Sequence, residues 1–433
     1  MVLRYLTAGE SHGPALVGII EGLPAGVPVD TAALDRELAR RRLGYGRSPR
    51  MNFAVDRLEI MGGVRHGLTL GSPVGLVIHN TEWPKWTEAM GIEAPEDPQG
   101  LAETGRGVPL TRPRPGHADL VGMQKYDMDD ARNVLERASA RETGTRVALG
   151  WFATQLLATV GVTVVSHVTR IAEVTAPDEL PLPGPDDLDA IDADPMRCLD
   201  PDTSAAMQAR VDQAKADRDT LGGVVEIVVH GLPPGLGSHV HWDRKLDTRL
   251  AAALMSIQAF KGVGIGDGFG SAAVPGSIAH DEIIAAGDGR FVRKTHRAGG
   301  LEGGMTTGEV LRVSAAMKPL SSLMRPLVTV DTATGEAATA ITQRSDVCAV
   351  PRAGVVCEAV VALTLADALL EKTGGDSVEE IRRNLAAYLG GVDRVRGVPT
   401  DTYQGDPVAD DGYRTPEGDR NPSCAPDTTP DPG

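Results

Sequence analysis

Two histidines lie in glycine-flanked, polar stretches: Gly9-Glu10-Ser11-His12-Gly13 and Pro115-Gly116-His117-Ala118-Asp119. Histidine is the side chain whose ordinary pKa, about 6.5, lets it give and take protons near neutral pH. Neighbouring glycines let backbone, and hence a ligand, approach closely. Each ring has a candidate orienting group nearby, Glu10 or Ser11 for His12 and Asp119 for His117. Arginines gather around both. Arg40, Arg41, Arg42, Arg47 and Arg50 form one group, Arg112 and Arg114 precede His117, and Arg137, Arg141 and Arg146 follow it. The chain as a whole carries a net charge of −16, which argues against a broad basic surface for nucleic acid. Clustered arginine in an acidic chain points instead to a focused site for a small, highly anionic ligand.

The elements that must hold these groups come next. Glu136-Arg137-Ala138-Ser139-Ala140-Arg141-Glu142-Thr143 opens a helix that runs on through Val147, Leu149, Trp151, Phe152 and Leu156. Arg137 and Arg141, four apart, would share a face near its positive end, a setting that suits phosphate or carboxylate. Lys318-Pro319-Leu320-Ser321-Ser322 follows an apolar strand, and Gly262 to Gly270 reads as a very flexible loop. That loop does not fit G-x-G-x-x-G, and no Walker A motif is present, so a Rossmann or P-loop site is not supported. Gly9-Glu10-Ser11-His12-Gly13 fits G-x-S-x-G, but a nucleophile elbow needs several strands before it, and too few residues precede Gly9. Arg65-His66-Gly67 resembles the Arg-His-Gly of histidine phosphatases. Here Gly71-Ser72-Pro73 and the strand-like Val74-Gly75-Leu76-Val77-Ile78 follow, which favours a turn. A phosphatase using His66 or His12 is the alternative reading.

The chain is internally repeated. Ala15-Leu16-Val17-Gly18-Ile19-Ile20-Glu21-Gly22-Leu23-Pro24-Ala25-Gly26 returns as Gly223-Val224-Val225-Glu226-Ile227-Val228-Val229-His230-Gly231-Leu232-Pro233-Pro234-Gly235. In both, an apolar strand is broken by Gly-Leu-Pro-x-Gly, and a helical pattern follows near Leu34 to Ala39 and Leu246 to Ala251. Gly62-Gly63-Val64 with Gly67, Thr69 and Gly71 matches Gly299-Gly300-Leu301 with Gly304, Thr306 and Gly308. These matches predict one catalytic domain over 1–396, built of halves at about 1–172 and 220–396. A Pro- and Asp-rich excursion at about 176–204, followed by a short helix near Ala205 to Ala216, separates them. The segment 397–433, acidic and rich in proline, reads as a disordered tail.

With 433 residues and 41% hydrophobic content the chain can bury a large core, and with only 3% aromatics that core must be aliphatic. The four cysteines show neither metal spacing nor a disulfide framework, which fits a reducing compartment. Met1 to Leu6 lacks the apolar run of a signal peptide, and no uninterrupted apolar stretch approaches the roughly 18 residues of a membrane span. A cytoplasmic protein with no membrane partner and no metal is expected.

Taken together, these motifs closely resemble one family, chorismate synthase. The likeness runs in order through Gly9 to Gly13, Arg40-Arg41-Arg42-Leu43-Gly44 with Arg47, Arg114 to Asp119, Arg137 to Thr143, Gly262 to Phe269, Ala298 to Gly304 and Arg344-Ser345-Asp346. The resemblance implies an α/β (α+β) fold, a βαβ sandwich of two repeated halves, assembled as a homotetramer. It implies a lyase that converts 5-enolpyruvylshikimate 3-phosphate to chorismate and phosphate by anti-1,4-elimination, with reduced FMN required and no net redox change. By motif, His12 would protonate the leaving phosphate and His117 would serve the reduced flavin near N1. Asp346 with Ser11 would accept the substrate-derived proton through flavin N5. Arg41, Arg47, Arg114 and Arg141 would hold substrate anions, the first two also contacting a nicotinamide nucleotide. Flavin contacts are implied at Arg137, Ala138, Ser139, Gln258, Ala259, Gly303, Lys318, Pro319, Leu320, Ser321, Ser322 and Arg344. The flavin's electrons would come from NADPH or from an external flavin reductase; no added reductase domain is evident, which favours the second. His296 stands where the family usually has Asn.

Overall fold

The computed structural model describes residues 3–47, 57–103, 105–286, 291–342 and 346–395. Arg50, Arg344, Ser345 and the acidic segment 397–433 lie outside the described residues. The chain first forms β1 (Arg4–Ala8), β2 (Ala15–Glu21), β3 (Ala25–Pro28), α1 (Thr31–Arg40), β4 (Arg57–Gly62), β5 (Val64–Arg65), β6 (Leu68–Leu70) and β7 (Val74–His79). Helices α2 (Pro98–Glu103), α3 (Asp119–Tyr126), α4 (Arg132–Leu135) and α5 (Thr143–Ala158) follow. Then come β8 (Thr163–Ile171), β9 (Val174–Thr175), α6 (Leu188–Ala193), α7 (Pro201–Ala216), β10 (Gly223–His230), α8 (Leu246–Met255) and β11 (Phe260–Ile265). The remainder is α9 (Gly276–Ala279), β12 (Ile283–Ala285), β13 (Phe291–Arg293), β14 (Leu301–Glu302), β15 (Met305–Thr306), β16 (Leu311–Met317), β17 (Val328–Val330), β18 (Ala337–Thr339), α10 (Val350–Thr373) and α11 (Val378–Val395).

Two antiparallel sheets carry the architecture. One has strand order β1-β2-β7-β4 and the other β11-β16-β10-β8-β9. Read from β8, the second sheet runs β8-β10-β16-β11, the order of the first. The sequence repeat ends the first half at 172 and starts the second near 220, but strand 163–171 pairs with β10, as β1 pairs with β2. By strand order the second copy therefore begins at β8, with the excursion inserted after its first strand. A side-chain detail repeats as well. Thr69 donates to the Pro24 carbonyl and accepts from Val27 N, while Thr306 donates to the Pro233 carbonyl and accepts from Leu236 N. Each buried hydroxyl closes a Gly-Leu-Pro-x-Gly turn.

The alternation of Leu311-Arg312-Val313-Ser314-Ala315-Ala316-Met317 buries every second side chain of β16, as a sheet with one face on the core requires. Gly262 to Ile265, expected as loop, belongs to edge strand β11. A Cβ at Gly264 would lie 2.7 Å from Ser314 Oγ, so glycine here serves close strand approach. Helices α5 and α10 pack on one another and against strands of both sheets, forming the middle layer. α10 is buried almost all round. Among the described residues it is the helix long and apolar enough to cross a membrane, yet 94% of that window is buried in the protein. In the Arg-His-Gly of the alternative reading, Arg65 ends β5 and His66-Gly67 form the two-residue hairpin turn into β6, with His66 exposed and at φ 52°, a turn and not a strand-to-helix junction.

The excursion is pinned to the core by charge. Glu358 on α10 accepts from Arg40 (2.8 Å), Arg197 (3.1 Å) and Ser166 (2.6 Å), and Arg197, 0% exposed, also pairs with Asp192 at 2.9 Å. Removing one member of a buried ion network strands the others. Glu358→Ala should lose about 3–5 kcal/mol in denaturant unfolding, whereas an exposed pair such as Arg4–Glu21 should cost less than about 1 kcal/mol when broken.

Candidate active site

His12 is held from two sides. Its backbone N–H donates to Glu136 Oε2 (2.8 Å) and its ring Nδ1 lies 2.8 Å from Glu136 Oε1. The indole of Trp86 stacks on the imidazole with centroids 3.9 Å apart and planes 24° from parallel. The partner facing the ring is thus Glu136, far away in sequence, while the Glu10 carbonyl closes a turn by accepting from Gly13 N. Ser11 is buried, its amide donates to the Glu136 carbonyl (3.0 Å), and its own carbonyl accepts from Arg141 (2.9 Å). Arg141 also donates to Asn80 Oδ1 (3.0 Å), and Asn80 Nδ2 reaches the Gly13 carbonyl (2.9 Å).

Segment 136–143 is not one continuous helix. Ser139 is extended (ψ 139°) and caps a 3-10 turn, Ala140–Glu142, before α5 begins at Thr143. Hydroxyl-bearing residues favour such caps because they supply the acceptor the first amides lack. Arg137 and Arg141 thus do not share a helix face. They converge nonetheless on one loop, Arg137 donating to the carbonyls of Thr7 (2.8 Å) and Gly9 (3.1 Å) and Arg141 to that of Ser11.

His117 keeps the partner its sequence suggests, Asp119 Oδ1 at 2.5 Å. Asp119 is fully buried and also accepts from Arg114 Nε (2.8 Å), and Arg114 Nη1 donates to Ser322 Oγ (2.8 Å). Burial works to raise the Asp119 pKa, but hydrogen bonds from His117 and Arg114, with their charges, outweigh it and hold the carboxyl well below the usual range. Lys318 Nζ donates to the Gly116 carbonyl, and the Lys318 amide donates to the Ala259 carbonyl (2.9 Å). Ser321 lies beside Gly116, and the Leu320 carbonyl accepts from Thr220.

Glu142 joins the two histidine clusters. It is buried and accepts from Thr7 Oγ1 (2.8 Å), Arg146 Nε (3.0 Å) and Gln258 Nε2 (3.2 Å). Gln258 leads to Ala259, hence to Lys318 and Gly116. Arg137, Ser139, Gln258, Ala259, Lys318 and Ser322 are thereby linked in one neighbourhood. Gly303 stands apart in contacts, with His239 and Met305 nearest to the place a Cβ would occupy. The other flank is the loop after α1: Arg41, buried, reaches Thr143 Oγ1 (3.5 Å), and Asp346, buried, pairs with Arg352, whose guanidinium feels the charge of Arg41. Arg47 is exposed and donates to the Arg42 carbonyl.

Sequence reading missed Glu136 as a partner, Trp86, Asn80 and Glu142. Glu136 and His12 are 124 residues apart, and no local spacing signals such a pair. Because the Asp119 carboxyl is depressed, it stabilises the fold fully above its unfolded value near 3.9 and loses this as pH falls through the folded value. The stability gap between wild type and Asp119→Asn, measured by urea unfolding, should therefore be largest near neutrality and close progressively below pH about 5.

Comparison with known proteins places the chain in a family. The chorismate synthase family model matches residues 3–370. Relatives named chorismate synthase include those of Kocuria rhizophila, 64% identical over 391 residues (90% of this chain and 94% of the relative), and Acidothermus cellulolyticus, 65% identical over 389 residues (90% and 98%). That of Streptomyces coelicolor is 63% identical over 392 residues, covering 90% of this chain and 99% of the relative. A crystal structure of chorismate synthase superposes with a TM-score of 0.71 at 37% identity, covering 91% of this chain and 99% of the other. With the family model spanning most of the chain and relatives this close, the chain belongs to the chorismate synthase family.

Proposed function

We propose that the two histidine clusters and the segment joining them are where this chorismate synthase family member eliminates phosphate from 5-enolpyruvylshikimate 3-phosphate to give chorismate. The observation that carries the proposal is the linkage of His12, Arg141, Arg137, Gln258, Lys318 and His117 through buried Glu136, Glu142 and Asp119. In the elimination a C–O bond to phosphate and a C–H bond both break, so one proton must be supplied and one removed.

His12 supplies a proton to the departing phosphate oxygen, and Arg141, one contact away, faces the anion it leaves. Arg41, Arg47 and Arg114 complete the set of cations available to the phosphate and two carboxylates of the substrate. His117, fixed by Asp119, donates toward the cofactor. Asp346 and Ser11, one on each flank of segment 136–143, take up the substrate-derived proton.

Reduced FMN supplies electron density to a reaction that is redox-neutral overall. The residues present fit it. Gln258 Nε2 is committed to Glu142 while its Oε1 is buried and meets no hydrogen-bond partner among the described residues. A buried acceptor left unmet is costly, and an N–H of the flavin ring would meet it. Arg137 reaches the same Glu142, and Ala259, next in sequence, accepts from the Lys318 amide; Ala138, Ser139, Pro319, Leu320, Ser321, Ser322, Gly303 and Arg344 are proposed on family likeness. The same holds for NADPH or an external reductase as the source of electrons, and for a cytoplasmic location. Self-association is supported by Leu6 (69% exposed), Ile19 (44%) and Val17 (38%) lying outward on β1 and β2, and the family likeness makes it a homotetramer; light scattering should return four times the 45.5 kDa chain mass.

The enzyme, assayed without oxygen, should form chorismate with reduced FMN and none with oxidised FMN. His12→Ala and His117→Ala should each lower turnover on the order of 10²–10⁴-fold while FMN still binds. Near-normal rates in both variants would refute the proton-donor roles of the two histidines.

A further inference from the structure

Among the site's buried carboxylates Glu136 is unusual in what it is spent on. Glu142 ties together Thr7, Arg146 and Gln258, and Asp119 is shared between His117 and Arg114. Among the described residues, both oxygens of Glu136 go to His12 alone: Oε2 accepts the backbone N–H, and Oε1 and Oε2 lie 2.8 and 3.0 Å from ring Nδ1. Its side chain is 1% exposed and that of His12 is 15% exposed. The backbone anchor between the two segments, Ser11 N–H to the Glu136 carbonyl, would survive any change of the Glu136 side chain.

We infer that Glu136 is a positioning residue for the reaction, fixing His12 in one tautomer and one orientation so that Nε2 is the nitrogen that trades a proton with the substrate. A carboxylate only accepts, so facing Nδ1 it requires the proton to be there. The tautomer of a histidine is set by the hydrogen bond its other nitrogen makes, and a proton donor held by a buried carboxylate loses little to reorientation. Trp86 restricts the remaining freedom. With one imidazole face covered at 3.9 Å, the ring cannot tilt away from Glu136 toward Trp86. Arg106 and Arg132 lie over the indole at 5.1 and 5.8 Å and hold it in place. The inference rests on the role proposed above for His12.

The test compares Glu136→Gln, Glu136→Ala and His12→Ala in the FMN-supplied enzyme, with and without added formate. FMN affinity is measured separately by flavin absorbance. Glu136→Ala should lower kcat by about 10²-fold with KM and FMN affinity within about threefold, the signature of an interaction needed in the transition state rather than in binding. Formate, small enough to occupy the vacated space, should restore at least about tenfold in Glu136→Ala and nothing in His12→Ala. Glu136→Gln, which keeps one acceptor, should fall between. Rates within about threefold of wild type in the Glu136 variants alongside a crippled His12→Ala would overturn the inference. So would a loss confined to KM or FMN affinity, or one that formate leaves untouched. Should Glu136→Ala not fold, Glu136→Gln decides by the same division between kcat and KM. Wild-type turnover in His12→Ala would instead remove the proposed role of His12 itself.

Discussion

The close approach of α5 and α10 sets the geometry of everything else. A Cβ at Gly150 would lie 2.5 Å from Ala359 Cβ and 2.8 Å from its carbonyl oxygen, closer than side chains tolerate. Only glycine permits that contact, and it brings the N-termini of the two core helices to the same end of the molecule. The loop after α1 touches both: Arg41 lies against Gly144 on α5, and Gly44 lies against Pro351 on α10. The loop after α1 therefore lies between the starts of the two helices, with the Gly46 carbonyl accepting from the Val347 amide on the α10 side. On the function proposed above, groups from both ends of the chain serve one site because the two middle helices both start against this loop.

Charge then does the fine positioning. The chain is acidic overall, but its site carboxylates are buried and each faces cations or imidazoles: Glu136 faces His12, Asp119 faces His117 and Arg114, and Glu142 faces Arg146 with Gln258. Buried carboxylates with full sets of donors are rigid, whereas lone ones would be expelled or neutralised. They act as clamps on the imidazoles and guanidinium groups they face. The excess of acid over base thus coexists with arginines and histidines held in place by buried carboxylates.

Much of this is legible in the sequence. The repeated Gly-Leu-Pro-x-Gly is visible there because a broken strand needs the same turn residues in both copies, and Thr69 and Thr306 close those turns alike. His117 with Asp119 is legible because their pairing is local. What escapes is long-range. Nothing near His12 points to Glu136, whose carboxylate faces the ring from 124 residues away. Strand 163–171 follows α5 without a break in composition, so only its pairing with β10 reveals which copy it opens. A fourfold spacing of arginines reads as a helix face, but the Ser139 cap interrupts the helix between them. Glycine-rich sequence reads as loop, and β11 uses its glycines to lie flat against β16.

If one site, formed where α5 and α10 begin, receives both substrate and flavin, an oxygen-free crystal structure of the enzyme with reduced FMN and substrate tests it most directly. A flavin N–H should then lie within hydrogen-bond distance, about 2.7–3.2 Å, of Gln258 Oε1, and the substrate phosphate should lie beside His12 and Arg141. Flavin bound away from Gln258, for instance in the surroundings of Gly303 and His239, or a phosphate remote from His12, would contradict it.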